Sequence, residues 1–219
     1  MPTDPHSLLS IAIKLLQDNW QTAFSALAGT FLGAYLAFIF QRRYTDKKEL
    51  EANLAAAKSA QFAIAVQLNA VRNIREQVLD PTRNDPNRHL TLTPFTVHAE
   101  YPRLNITALT FMLKDEGAQL LGELLVSEHM FLSLLGALEQ RNTRHEVMQR
   151  AIATQGPHAA LDQATVAILR DITDSVFGLA EDASKSLQTA FDTLAQYVEK
   201  VFPKSKALGL QFKQRSHEL

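Results

Sequence analysis

WQTAFSALAGTFLGAYLAFIF, residues Trp20 to Phe40, is the stretch whose reading decides the rest of this chain. No charged side chain falls between Asp18 and Arg42. A helix rises about 1.5 Å per residue, so roughly 20 apolar and small residues cross a hydrocarbon core of ~30 Å. The stretch predicts one membrane-spanning helix over residues 19–41. Two other readings account for it less well. A helix buried in a soluble protein would be expected to carry charge on its outer face, and over these turns no face does. A cleaved signal peptide matches the small-x-small run Ala26-Leu27-Ala28. It needs a basic start, however, and the chain opens MPTD, with Asp18 and Asn19 interrupting the apolar run. Trp20 near one end and Tyr44 beyond the other suit the ring positions of the two interfaces.

The flanks set orientation. Arg42, Arg43, Lys47 and Lys48 crowd the C-terminal side, whereas the N-terminal arm has Lys14 against Asp4 and Asp18. Basic clusters stay cytoplasmic, which predicts a single-pass inner-membrane protein with its N-terminus outside and its bulk inside. Residues 7–17, SLLSIAIKLLQ, are too short to span, so residues 1–18 read as a short arm or an interfacial helix. Within the span, Ser25, Gly29, Gly33 and Ala37 recur every fourth residue, with Ala26, Thr30 and Ala34 beside them. That spacing places small side chains on one helix face, where two backbones approach closely in lipid. The stripe predicts self-association of the spanning helix.

The run SALAGTFLGAYLAFIFQRRY, entering a charged helix, resembles the N-termini of many uncharacterised bacterial single-pass inner-membrane proteins. The resemblance covers about residues 19–48. It implies a bacterial inner-membrane setting and carries no activity with it.

Beyond the membrane the chain reads as all-α. Its 219 residues leave enough length for one anchored domain with a core of its own. The 22 basic and 23 acidic residues nearly balance, so no global field recruits nucleic acid. Cysteine is absent, which excludes disulfides, thiolate metal sites, a catalytic thiol and palmitoylation together. From Gln41 the helix is expected to continue, with Leu50, Leu54, Ala57, Gln61, Ile64, Leu68, Val71, Arg75 and Val78 forming a seam. Asp80-Pro81 ends it. A second helical region over 107–155 carries the seam Leu124, Ser127, Phe131, Leu134, Leu138, Asn142, His145, Met148 and Ile152, with a break near Lys114. Gly156-Pro157 stops it. A third helix over 159–201 presents Leu161, Thr165, Ile168, Ile172, Val176, Leu179, Ala183, Leu187, Phe191, Leu194 and Val198, and Pro203 closes it. Matching seams predict an N-terminal transmembrane helix continuing into an antiparallel cytoplasmic bundle of about three long helices, residues 42–202, with a basic flexible tail at 203–219. The seams carry Ala, Gln, Ser and Thr, so the core is thin, and pairing with a second copy would bury more of it.

Residues 80–104, DPTRNDPNRHLTLTPFTVHAEYPRL, are the irregular stretch. Prolines and turn-forming Asn and Asp break helix there, and LTLTPFTV alternates weakly like a short strand. Arg83, Arg88, His89, His98, Tyr101 and Arg103 make it the candidate contact surface, unless it is a solvated connector.

No familiar site signature is present in the sequence. There is no Gly-rich phosphate loop, no Gly-x-Ser-x-Gly elbow and no His-Glu-x-x-His. His145-Glu146 lacks a second His one turn on, and His145 belongs to the apolar seam. Glu123, Glu128 and His129 read as a solvated face rather than a di-metal site. No catalytic residue, metal or cofactor is expected, and no nucleic acid partner. The expected partners are the lipid bilayer, further copies of the chain and an unidentified protein. The functional expectation is a membrane-anchored helical interaction or scaffold protein. The alternative is a membrane-perturbing effector, phage-defence or toxin-like, triggered through its cytoplasmic part. An enzyme without familiar motifs would instead bring His129, Glu123 and His145 into one pocket with loop residues.

Overall fold

The computed structural model describes residues 5–95, 100–114, 117–155 and 163–203. The Gly156-Pro157 stop, His98 and the tail from 204 onward lie outside the described residues, and so does the end of the weakly strand-like run 90–97, whose described residues close a helical turn and form no strand. The protein is all-helical, with no strand among the described residues. Its long elements are α1 (Pro5–Ile74), α3 (Gly117–Gln155) and α4 (Gln163–Val201), and a single turn, α2 (Arg88–Thr91), lies between the first two. By contact the chain divides into two units, Met1–Ala52 and Asn53–Leu219.

The first unit is helix whose described large apolar side chains are almost all exposed. Phe24, Leu27, Leu32, Phe38 and Phe40 are all exposed, and Phe31 is 81% so. Its most apolar window is 0% buried. The helix closes its polar groups internally: the Thr30 hydroxyl donates to the Ala26 carbonyl at 2.7 Å, and that of Thr45 to Gln41 at 2.9 Å. Two helices, α1 and α3, are long and apolar enough to cross a membrane. They differ in where the apolar side chains go. In α3 a third of the window is buried, as a core helix with one inward face requires.

The second unit has one hydrophobic core. α1 supplies Ala57, Ile64, Leu68, Val71 and Ile74, α3 supplies Leu124, Phe131, Leu134 and Leu138, and α4 supplies Val176, Leu187, Leu194 and Val198. The expected α1 seam is inward from Ala57 on, but Leu50 is exposed. Gln61 is fully buried, with neither amide atom hydrogen-bonded. The α-helical bonds of α1 end at Ile74, and a wider π-turn, Arg75–Leu79, precedes the 3-10 turn Asp80–Thr82. The Pro81 ring would strike a carbonyl of the preceding turn, and the Asp80 amide bonds Arg75 O, five residues back.

α3 and α4 run antiparallel. Ser127 meets Ser186 at 2.9 Å between hydroxyls, and Gly117 lies against Tyr197. Small residues at the contact change the inward face of α4. Leu169, Thr173, Val176, Ala180 and Ala183 are buried, whereas Ile168 is exposed and Ile172 and Leu179 are half-buried. The expected seam followed bulk, but close approach of two backbones selects Thr and Ala, which turns the face by one residue at these positions. The first two long helices are related differently. Gln67 of α1 meets Glu128, and the chain leaving α1 reaches Arg141 and Asp174, further along the α3–α4 pair. α1 therefore runs in the same direction as α3, so the antiparallel order expected from the seams holds for α3 and α4 but not for α1 and α3. A reversed neighbour needs only a short turn, whereas a parallel one needs a return path. Residues 92–114 provide that path: Leu92 meets Arg141, Phe95 meets Asn142, Tyr101 meets Phe131 and Leu104 meets Glu128. The 3-10 segment Thr107–Lys114 then brings Phe111 against Phe202 before α3 begins.

Phe131 is fully buried against Tyr101, whereas Leu125 on the same helix is 39% exposed. We expect Phe131→Ala to destabilise the second unit by about 3–5 kcal/mol and Leu125→Ala by less than about 1. Urea titration of the detergent-solubilised full chain, followed by far-UV circular dichroism, checks the difference.

Candidate functional site

The return path is irregular backbone packed on helices, so its amides and carbonyls need partners that no strand supplies. It starts with local turn chemistry. Asp85 accepts the Asn87 amide at 2.8 Å and the Thr91 hydroxyl at 2.6 Å. These two bonds, led by that of Thr91, hold the Asp85 carboxyl below its ordinary range. Pro86 and Asn87 then introduce the turn α2, whose one helical turn ends at Thr91.

Side chains of α3 take the carbonyls at and beyond the end of that turn. Arg141, 0% exposed, donates to Leu92 O, and at 3.5 Å to His89 O and to the Asn142 amide oxygen. His145 Nε2 lies 3.2 Å from Leu90 O, and Asn142 donates to Phe95 O at 2.7 Å. Three residues of one helix face thus hold four carbonyls spread from His89 to Phe95. Burial lowers the Arg141 guanidinium to about 10, which leaves it charged at neutral pH. Its partners are neutral dipoles, and it supplies several donors from one rigid fork. Burial likewise pushes the His145 and His89 imidazoles below their ordinary value, with the nearby Arg141 adding to the effect at His145 and Arg170 at His89.

Further along, the Gln67 amide donates to Pro102 O at 2.9 Å, and Glu128 accepts the Leu104 amide at 2.9 Å. Tyr101 stands edge-on to Phe131 with ring centroids 5.2 Å apart.

The candidate contact residues are therefore divided. Arg88 is half-buried, pairing with Asp174 at 2.8 Å and lying 4.7 Å above the Phe177 ring centroid. His89 is buried beneath the turn and Tyr101 is packed in the core margin. Arg83 pairs with Asp80 at the surface at 3.2 Å, and Arg103 is exposed. The first three hold the segment down, and Arg83 and Arg103 face solvent. The reading of 80–104 as a solvated connector does not describe the residues placed here.

In the first unit Ser25, Gly29, Gly33 and Ala37 are exposed, as are Arg42, Arg43, Lys47 and Lys48. A Cβ built on Gly29 or Gly33 meets nothing within 4 Å. The fold of this chain thus makes no use of either glycine, although a mid-helix Gly costs about 1 kcal/mol relative to Ala.

Glu123, His129 and His145 do not share a pocket. Glu123 accepts from Gln119 at 3.1 Å, His129 is exposed, and His145 is buried against Leu90. Among the described residues no group of three His, Asp or Glu is placed to hold a metal ion.

Two features had no counterpart in the sequence reading. One is Arg141, which sits in register with Leu138, His145 and Met148, so its phase on the helix was the available signal. The other is an open groove of about 840 Å³ between α3 and α4, lined by Gly122, Val126 and Met130 on one side and Asp182, Lys185 and Thr189 on the other. Its floor is the Ser127–Ser186 contact, another consequence of small residues at the α3–α4 approach. No protein-family model, curated protein or solved structure matches this chain.

Replacing Arg141 by Met removes a buried charge but leaves the Leu92 carbonyl without its partner. The unpaired dipole outweighs the relief of desolvation, and we expect a loss of about 1–3 kcal/mol. Arg88→Ala, which removes a partly exposed pair, should cost no more than about 1 kcal/mol. Both are read from urea midpoints of the full chain in detergent.

Proposed function

We propose that this protein is a membrane-anchored helical interaction protein. Residues 19–41 span the bacterial inner membrane once and self-associate, and the helical bundle of residues 42–202 works in the cytoplasm. The observation that carries this reading is the set of large apolar side chains between Phe24 and Phe40 that the chain leaves uncovered. In water, that much contiguous apolar surface is a site of association or insertion. A charge-free helix of this length matches a bilayer, and Arg42, Arg43, Lys47 and Lys48 at its cytoplasmic end match the anionic headgroups.

Self-association draws support from the glycines. Gly29 and Gly33 share a face with Ser25 and Ala37 and serve no contact within the chain. Small side chains at that spacing let two helices approach closely in lipid, where packing rather than the hydrophobic effect drives association. On the cytoplasmic side, Arg83 and Arg103 are the loop residues left to meet a protein partner, since Arg88, His89 and Tyr101 are engaged internally.

We expect the full chain to remain in the membrane fraction after carbonate washing, with a reporter fused after Leu219 on the cytoplasmic side. Gly29→Ile/Gly33→Ile should lower the oligomer fraction in detergent, read by light scattering, while leaving membrane retention unchanged. Recovery of wild type as a soluble monomer without lipid or detergent overturns the anchor. An unchanged oligomer in the variant overturns the stripe. Loss of membrane potential on overexpression, abolished by the same substitutions, would favour the membrane-perturbing effector over the scaffold.

A further inference from the structure

We propose that the Arg88–Phe95 segment is held by an acid-sensitive catch, in which protonation of His145 and His89 beside the buried Arg141 releases the segment from α3 while α3 and α4 stay packed. This inference concerns the second unit alone and stands whether or not the first unit spans a membrane.

The geometry assigns the proton of His145. Its Nε2 faces the Leu90 carbonyl at 3.2 Å, a pure acceptor, so Nε2 carries the hydrogen and donates. Nδ1 is then a bare lone pair, buried and without a partner. A neutral ring tolerates this arrangement at the cost of one desolvated acceptor. A protonated ring would bury an N–H with no acceptor and place a second positive charge beside Arg141, whose own charge has no carboxylate bonded to it among the described residues. His89 repeats the pattern. It is 2% exposed, its Nδ1 is unpartnered, and its own carbonyl accepts from Arg141.

The charges facing the two rings come from every side. The loop contributes Asp85, α2 contributes Arg88, α3 contributes Arg141, and α4 contributes Arg170 and Asp174. Both acids are already committed, Asp85 to Asn87 and Thr91 and Asp174 to Arg88. Arg75, at the end of α1, acts on Glu181. Asp174 and Asp85 still pull His89 upward, and the Leu90 bond pulls His145 upward, but burial, with repulsion from Arg170 at His89 and from Arg141 at His145, outweighs them, and both histidines are held below the ordinary value of 6.5. Once the segment is released, both rings, His89 on it and His145 on α3, meet water and return toward that ordinary value. Below it, the released state binds more protons than the closed one, so the catch is fully shut above about pH 6.5 and weakens as pH falls.

The release is local because the elements differ in what holds them. The segment is fastened by the side-chain bonds of Arg141, Asn142 and His145, by the half-exposed Arg88–Asp174 pair and by one core side chain, Leu92, whereas α3 and α4 share a continuous apolar core. Regions fastened by few polar contacts open at lower free energy than the core.

Hydrogen exchange of the detergent-solubilised full chain, corrected for the intrinsic pH dependence of exchange, tests this. Between about pH 7.5 and about pH 5.5, protection of the Leu90–Leu92 amides should fall on the order of tenfold or more, while that of Ala183–Leu194 in α4 stays level. In His89→Gln/His145→Gln the difference should disappear, because Gln keeps an amide donor for Leu90 O and does not titrate. Should the double variant fail to fold, His145→Gln alone should reduce the pH dependence. Wild-type protection that is flat with pH, parallel loss in both regions, or an undiminished pH dependence in a folded Gln variant each overturns the proposal.

Discussion

Backbone amides and carbonyls placed in hydrocarbon have no water to bond, so a segment facing lipid has to close its hydrogen bonds within itself. Residues Phe24 to Phe40 meet that condition as helix, and the Thr30 hydroxyl is returned to the Ala26 carbonyl rather than left outward. Among the described residues, the apolar side chains of this window are not buried. Those two facts together suit a solvent that is apolar and offers no hydrogen bonds, which is what supports the proposal that this helix lies in a bilayer. The comparison with α3 sharpens the point. α3 passes the same test of length and composition, yet its Leu121, Leu124, Phe131 and Leu134 are spent on the core.

In the second unit the same requirement produces a different solution. Because α1 and α3 run in the same direction, the chain between them has to travel back along α3 in irregular conformation. Helices cannot offer such a segment a ladder of backbone partners. Side chains take that role instead: Gln67, Glu128, Arg141, Asn142 and His145 each reach one or more main-chain groups of the return path. Asn142 and His145, polar members of the α3 seam, therefore have a definite use. They do not weaken a helix–helix contact; they fasten the connection that the parallel arrangement demands. Gln61 is outside this pattern, and nothing in the structure pairs with it.

Much of this was legible in the sequence, and the reasons for the rest are physical. Periodicity located the inward faces of α3 and of α1 beyond Ala57, because bulky apolar residues at steps of three and four have one way to face a core. It misplaced the first half of the α4 face. There Thr173 and Ala180 lie inside and Ile168 outside, since hydropathy rewards size while a close helix contact rewards its absence. The antiparallel order expected from the seams does not describe α1 and α3, which run in the same direction, because seam periodicity carries no direction and a long connection is compatible with either a parallel neighbour or a solvated loop. Arg141 was passed over for a related reason. A single sequence does not distinguish an arginine that faces water from one that faces a row of carbonyls, unless its register with Leu138 and His145 is given more weight than its charge.

Arginine at that position also explains why the fastening can be both strong and conditional. A lysine ammonium is a compact, strongly hydrated charge, costly to bury against carbonyls alone, whereas the guanidinium spreads its charge over a planar fork and is more weakly hydrated. Burial still leaves Arg141 charged, and it therefore biases the neighbouring His145 imidazole toward neutrality. The nearest of these, His145, bonds the same carbonyl row through one nitrogen and leaves the other bare. The segment is thus held by a fixed charge and a neutral ring that must remain neutral. An apolar contact of equal size would hold it without regard to proton concentration. The polar one makes the attachment depend on it.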